Sequence, residues 1–147
     1  MLKPSKKMLF AIEAVLDIAY HAGGTAVQSQ DITRRQCIPR RYLEQALQAM
    51  VRQGILLGVR GPRGGYRLAR ERRRISVGDV VRVIGTMEGD DEAGGSELGR
   101  RVVRPMWRAL HDEMMSRLDA LSIDDLCVQA DARSIASEGR DSLDFSI

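Results

Sequence analysis

Cysteine and histidine are scarce in this chain of 147 residues, which contains two of each. Cys37 and Cys127 are far apart and form no CxxC pair, so the pattern predicts neither a disulfide scaffold nor a metal site built from cysteines alone. His21 and His111 have no second ligand at metal-binding spacing. We therefore expect no metal site.

Long apolar runs are also missing. No run reaches the length of about 18 residues that a membrane-spanning helix needs. The first ten residues, MLKPSKKMLF, continue into an amphipathic segment and not into a small-residue cleavage site. We expect the protein to be cytoplasmic and to have no membrane partner.

The sequence contains no constellation typical of an enzyme. No nucleophile is paired with a base, and no metal motif is visible. The segment GPRGG at residues 61–65 lacks the lysine and the following helix of a phosphate-binding loop. We expect no enzymatic activity and no catalytic residues.

Positive charge is concentrated in one part of the chain. Residues 34–74 contain twelve arginines and two acids, a local charge of +10. The net charge of the whole chain is only +3, so the remainder sums to −7. This distribution is typical of a nucleic-acid-binding face and not of a generally basic protein.

Residues 58–70, GVRGPRGGYRLAR, predict a β-hairpin. The glycines at 58, 61, 64 and 65 and Pro62 indicate a tight reversal, and the flanking segments 55–59 and 65–69 are compatible with strands. Its tip and outer face carry four arginines, at positions 60, 63, 67 and 70. A polyanion is the expected partner, because arginine combines charge with a donor geometry suited to phosphate.

Three helices are predicted before the hairpin. The first spans Lys6 to His21 with Ser5 as its N-cap, and a short second helix runs from about Gln30 to Gln36 after a Ser29 cap. The third begins at Pro39 or Arg40; its inward residues are Leu43, Leu47, Met50 and Val51, and its outward residues are Arg40, Arg41, Glu44, Gln45 and Gln48. A short helix, a turn, a polar-faced helix and a basic hairpin predict a winged helix-turn-helix.

The remainder predicts a dimerisation helix. Ser76 and Asp79 form a capping box before a short helix, and residues 85–99, with five acids, predict an exposed, mobile loop. A long helix then starts near Pro105 with an apolar stripe that should pair with a second copy: Trp107, Leu110, Met114 and Leu118. The fold class is mainly α with a small β-hairpin. We divide the chain into a DNA-binding domain (1–85), a loop (86–104), the dimerisation helix and a following turn (105–130), and a polar tail (131–147).

The motifs YLEQ, VRGPRGGYRLA and I-x-VGDV, within Pro39 to Ile84, resemble the Rrf2 family of bacterial winged-helix transcription regulators. The resemblance implies a homodimer that binds a palindromic operator in double-stranded DNA, and our first hypothesis is a dimeric transcription repressor. It also implies that the helix near Pro39 contacts bases and that Arg60 enters a minor groove. The expected DNA-binding residues are Arg40, Arg41, Tyr42, Glu44, Gln45, Arg60, Gly61, Arg63, Gly64 and Arg67.

Cluster-binding members of that family carry three closely spaced cysteines before the dimerisation helix, whereas residues 86–104 contain none. We therefore expect no iron–sulfur cluster and no other cofactor. Each of the two thiols is expected to be a small buried residue, with Cys37 as the candidate redox thiol if one exists. Two functions remain open: a dimeric regulator that binds DNA, or a winged-helix interaction module that does not.

Overall fold

The computed structural model describes residues 2–88 and 95–139. Within this part of the chain, six α-helices and one antiparallel hairpin follow in the order α1 (Lys6–Tyr20), α2 (Ser29–Gln36), α3 (Arg40–Arg52), β1 (Leu56–Val59), β2 (Gly65–Leu68), α4 (Val77–Glu88), α5 (Arg104–Ala120) and α6 (Ile123–Ala132). A 3-10 turn at Arg72–Arg74 and a π-helical segment at Gly99–Val103 complete the regular structure.

Helix α1 is the centre of the packing. Ser5 caps it as predicted, because its hydroxyl oxygen accepts the backbone N–H of Met8 at 3.1 Å. The buried face of α1 contacts α2, α3, α4, α6 and β2. Each of these elements adds apolar side chains to the same hydrophobic core, which also takes in Met115 of α5. The helices and the hairpin are therefore assembled around α1.

Helices α2 and α3 form the predicted helix-turn-helix. Ile32 of α2 is fully buried, and so are Leu43 and Leu47 of α3. The prediction that Ser29 is an N-cap is wrong, since the helix already begins at Ser29 and Gln28 precedes it without a side-chain cap. Cys37 ends α2 in the left-handed region with φ of 55°. Ile38, only 1% exposed, then anchors the turn in the core.

The hairpin pairs Leu56 with Leu68 and Val59 with Gly65. A further segment, which the sequence pattern does not predict, pairs with the outer side of β2. Val27 forms an isolated bridge with Tyr66 through backbone hydrogen bonds of 2.8 and 2.9 Å. The loop before α2 thus acts as a third short strand. This contact holds the wing against the helix-turn-helix.

The region between α4 and α5 is more helical than predicted. Val83 and Ile84 bury their side chains in the core and carry α4 onward to Glu88, beyond the predicted boundary at residue 85. The π-helical segment Gly99–Val103 leads directly into α5, which begins at Arg104 with Pro105 in its first turn, as predicted. Residues 89–94, the middle of the predicted loop, lie outside the described residues.

The end of the chain also departs from the prediction. The turn expected after Ser122 is the full helix α6, with a complete capping box between Ser122 and Asp125. Residues 135–139 of the predicted polar tail contact the C-terminal end of α1. Ser137 is 8% exposed, and its hydroxyl donates to the carbonyl of Tyr20 at 2.6 Å. Residues 140–147 lie outside the described residues.

Candidate nucleic-acid interface

The outward face of α3 is polar over its whole length. Arg40, Arg41, Glu44, Gln45 and Gln48 are all exposed, as the apolar spacing predicts. Arg40 donates to a carboxylate oxygen of Glu44 at 3.2 Å, one helical turn away. This exposed pair positions both side chains on the surface and leaves the amides of Gln45 and Gln48 open to hydrogen bonds with base edges.

Tyr42 occupies a different position on the same helix. Its side chain is half-buried against Phe10, with ring centroids 6.1 Å apart, and its hydroxyl donates to the carbonyl of Lys7. Burial, and secondly the charge of Glu88, raise the pKa of Tyr42 to about 12. The structure thus gives Tyr42 a role in packing α3 against α1. Contact between Tyr42 and DNA stays a prediction.

The turn of the wing presents two arginines. Arg60 and Arg63 are exposed, and neither has a carboxylate within 4.0 Å among residues 2–88 and 95–139. Gly61 has φ of 108°, a conformation that other residues rarely adopt. A Cβ atom on Gly64 would lie 2.3 Å from the carbonyl oxygen of Val59. The two glycines therefore allow a tight turn that projects both guanidinium groups.

The wing is tied to the loop before α2. Arg67, on β2, donates to the carbonyl of Gly24 at 3.2 Å, and the Gln28 amide lies 3.5 Å from the carbonyl of Pro62. Arg67 is exposed, but its guanidinium group is bonded to Gly24 in this way. A contact between Arg67 and DNA stays a prediction. These bonds join the wing to the loop before α2 and so fix the position of the wing relative to the helix-turn-helix.

The tertiary structure neutralises part of the basic segment. Acids from outside it lie beside several arginines: Asp17 beside Arg35, Glu138 beside Arg34 and Arg35, Asp79 beside Arg70, and Asp124 beside Arg72 and Arg73. Within the part of the chain that is described, six arginines of this segment have no carboxylate within 4.0 Å: Arg41, Arg52, Arg60, Arg63, Arg67 and Arg74. The positive surface is thus narrower than the sequence count indicates. It is centred on α3 and the wing.

The two thiols have different environments. Cys127 is 2% exposed, and burial raises its pKa against the opposing charge of Arg72, so it is the expected small core residue. Cys37 is exposed in the turn between α2 and α3, so the expectation that it is buried is wrong. The left-handed backbone at Cys37 directs the residue out of the turn, whereas Ile38 takes the core position.

No metal site is evident in the described residues, which contain no group of three or more His, Cys, Asp or Glu side chains placed to bind an ion. The segment from Thr86 to Arg104 has no cysteine. Its helical positions include Arg100, Arg101 and Arg104, and a guanidinium group offers no lone pair to a metal. The donors therefore do not fit a thiolate-bound iron–sulfur cluster.

Comparison with known proteins identifies the family. The family model described as Rrf2, iron-dependent transcriptional regulator, matches residues 4–129. The chain belongs to the Rrf2 family. Rrf2 proteins are DNA-binding transcription regulators and not enzymes. The prediction of a DNA-binding transcription regulator and the prediction that the protein is not an enzyme are therefore both confirmed. None of the helices in the described part of the chain is long and apolar enough to cross a membrane.

Individual Rrf2 relatives agree over nearly the whole chain. The HTH-type transcriptional regulator IscR of Aliivibrio salmonicida is 32% identical over 139 residues, covering 92% of this chain and 83% of the relative. The solved structure of T. potens IscR has a TM-score of 0.74 at 32% identity and covers 92% of this chain and 93% of its own. CymR, the global cysteine regulator of B. subtilis, has a TM-score of 0.68 at 25% identity, with coverage of 88% and 98%. The predicted winged-helix fold is confirmed.

Proposed function

We propose that this Rrf2 protein is a homodimer that binds a palindromic operator and represses transcription without an iron–sulfur cluster. The observation that supports DNA recognition most directly is the outward face of α3 beside the arginines of the wing. Side chains with amide, carboxylate and guanidinium groups can read base edges in a major groove. Arg60 and Arg63 project from a narrow turn that is suited to an adjacent minor groove, where arginine is stabilised by the negative potential.

Dimerisation is supported by the apolar face of α5. Trp107, Leu110 and Met114 are 53%, 52% and 59% exposed, and Val103 and Met106 extend the same surface. A face of this size on one helix is typical of a protein interface. The side of α5 next to this face packs on its own domain through Met115 and the half-buried Leu118. We therefore place Trp107, Leu110 and Met114 at the centre of the seam and Leu118 at its edge.

Two such subunits would carry two copies of α3 and two wings related by a twofold axis. A symmetric dimer of this kind binds two half-sites, so its operator should be palindromic. A dimer that covers a promoter excludes other proteins from it, which favours repression. Action on promoters also places the protein in the cytoplasm.

The protein should bind no cluster because residues 86–104 contain no cysteine to supply thiolate ligands. We expect the purified protein to be colourless and its operator affinity to be unchanged by anaerobic reconstitution with iron and sulfide. Cys37, exposed beside the start of α3, is the thiol through which an oxidant would act. Identical operator binding by wild type and Cys37→Ser, with and without peroxide, would exclude it as a redox switch.

The test of the proposed function is binding to a promoter duplex that contains the palindrome, to an isolated half-site and to a scrambled duplex. We expect two chains per palindrome in sedimentation, weaker binding to the half-site, and affinity that falls steeply with salt. Equal affinity for palindrome and scrambled DNA would contradict operator recognition. One chain per palindrome would contradict the dimer.

A further inference from the structure

A short strap follows α6 and lies on the end of α1. We define the strap as residues 135–139. Tyr20 donates its hydroxyl to the carbonyl of Ile135, and Ser137 donates to the carbonyl of Tyr20 at 2.6 Å. The backbone N–H of Glu138 donates to Nδ1 of His21 at 3.1 Å. The bond from Ser137 satisfies the Tyr20 carbonyl, one of the last carbonyls of α1, which the helix itself leaves without a partner.

The backbone of the strap approaches α1 closely. A Cβ atom on Gly139 would lie 2.3 Å from the carbonyl oxygen of Ala22, and a Cβ atom on Gly23 would lie 2.6 Å from Cα of Gly139. Both glycines are therefore needed for the fit. The strap therefore occupies a specific position at the C-terminal end of α1.

From this position Glu138 reaches α2. Nη2 of Arg34 lies 3.2 Å from each of its carboxylate oxygens, and Nη1 of Arg35 lies 2.5 Å from Oε2. Partial burial alone would raise the pKa of Glu138, but the hydrogen bond from Arg34 and the charges of both arginines hold it below its ordinary value. The carboxylate is thus bound as an anion by two guanidinium groups.

The two arginines differ in what else they contact. Arg35 is 11% exposed at its side chain and donates to both carboxylate oxygens of the buried Asp17, at 2.8 and 2.9 Å. It is therefore a structural link between α1 and α2. Arg34 is 59% exposed, and its other carboxylate neighbour is Asp31 at 3.6 Å. Arg34 is the arginine of this pair that can exchange its partner.

Arg34 lies where DNA phosphates are expected. In a helix-turn-helix the first helix crosses the DNA backbone while the second enters the groove, and α2 is the first helix here. Arg34 is in the last turn of α2, just before the turn that leads to α3. A phosphate accepts the same guanidinium donors as a carboxylate, and does so with similar geometry.

We propose that Arg34 is a phosphate-contacting residue and that Glu138 of the strap occupies it in the unbound protein, so that the strap weakens DNA binding. This inference rests on DNA binding by α3 and the wing and adds a competitor for one of its contacts. It needs neither the operator sequence nor the dimer, because contacts to phosphates are independent of sequence.

The test is Glu138→Gln, which removes the charge and keeps the size of the side chain. On a non-specific duplex, affinity should rise about two- to fivefold, the range set by losing one exposed competing ion pair. The slope of log affinity against log salt should steepen by about 0.9, the value for one further phosphate contact. Glu97→Gln is the matched control, because Glu97 is exposed and distant in sequence from α2, and the change in net charge is the same.

A double variant shows whether the gain in affinity acts through Arg34. Arg34→Gln combined with Glu138→Gln should abolish the gain, whereas a gain that survives this combination would exclude Arg34 as the residue that is released. Unchanged or weaker binding by Glu138→Gln, with normal binding by wild type, would overturn the strap proposal alone. Failure of every variant to bind duplex at low salt would contradict DNA binding itself and this proposal with it.

Discussion

At the scale of single residues, exposure separates the side chains of α3 that can contact bases from those that position the helix. Tyr42 and Gln45 both lie within the first two turns, yet Tyr42 packs on Phe10 while Gln45 is exposed. The side chains that face outward owe their position to Leu43 and Leu47, which are fully buried. Recognition by α3 therefore depends on residues from both faces of the helix.

The residue best placed to report base reading is Gln45. Gln45→Ala should change sequence preference and weaken operator binding by about 1–3 kcal/mol, the cost of a lost base contact, with little effect on scrambled DNA. Gln53→Ala is the control, because Gln53 is exposed at the C-terminal end of the same helix, and it should leave sequence preference unchanged. Equal weakening on operator and scrambled duplexes would show that Gln45 is not a reader.

His21 predicts how stability depends on pH. Burial and the charge of Arg35 lower its pKa, and these outweigh the opposing charges of Asp17 and Glu138. Between the lowered folded-state pKa and the ordinary value of 6.5, the unfolded chain binds more protons than the folded one. The free energy of unfolding should therefore be highest above pH 6.5 and fall as the pH decreases through this window.

Denaturant unfolding of wild type and His21→Gln at several pH values checks this prediction. His21→Gln should flatten the pH dependence of the unfolding free energy above pH 4.5. This limit is the ordinary pKa of the Glu138 carboxyl, which also titrates on unfolding. His111→Gln, at an exposed position on α5, should leave the dependence as in wild type. If the unfolding free energy of wild type does not change between the lowered pKa of His21 and pH 6.5, His21 does not control stability.

At the scale of elements, the wing has no core of its own and is held by backbone and side-chain contacts with the rest of the fold. The bridge between Val27 and Tyr66 joins it to the loop before α2, and Gly64 allows the close approach of the turn to Val59. The orientation of Arg60 and Arg63 therefore depends on the tight backbone geometry that the glycines of the turn allow. A change at one glycine should act on binding through the geometry of the turn.

Gly64→Ala tests this dependence. The added Cβ would overlap the carbonyl oxygen of Val59, and we expect a local cost of about 1–3 kcal/mol. Amide hydrogen exchange in β1 and β2 should become faster, and DNA affinity should fall. Gly58→Ala is the control, since a Cβ there has no atom within 4 Å. Equal hydrogen exchange in both variants would show that the turn tolerates the overlap.

At the scale of the whole molecule, α5 belongs to two packing surfaces. Met115 and a pair of 2.6 and 2.8 Å hydrogen bonds between Arg82 and Asp119 join it to α4, while Leu110 and Met114 remain exposed. A helix with one face bound to its own domain and one apolar face exposed can pair with a second copy without refolding. In the proposed dimer, α5 would thus connect the two copies of α3 and the wing.

Leu110→Glu combined with Met114→Glu should give a monomer, because a twofold contact brings each new charge close to its copy. Sedimentation measures the change, and the loss of the second half-site should weaken binding to the palindrome. Val128→Glu is the control, since Val128 is 58% exposed on α6 and outside this face. A double variant that stays dimeric would place the interface elsewhere.

The sequence by itself determined the first three helices, the hairpin and the inward face of α3. Ser5, the stripe of α3, the glycine-rich turn and the capping box at Ser76 act through neighbours a few residues away, so local spacing is enough to predict them. The tertiary structure decided which arginines remain available, since Asp17, Asp124 and Glu138 reach the basic segment only after folding. It also decided the positions of the strap and of Leu118. These depend on contacts between residues far apart in the chain, which no local pattern encodes.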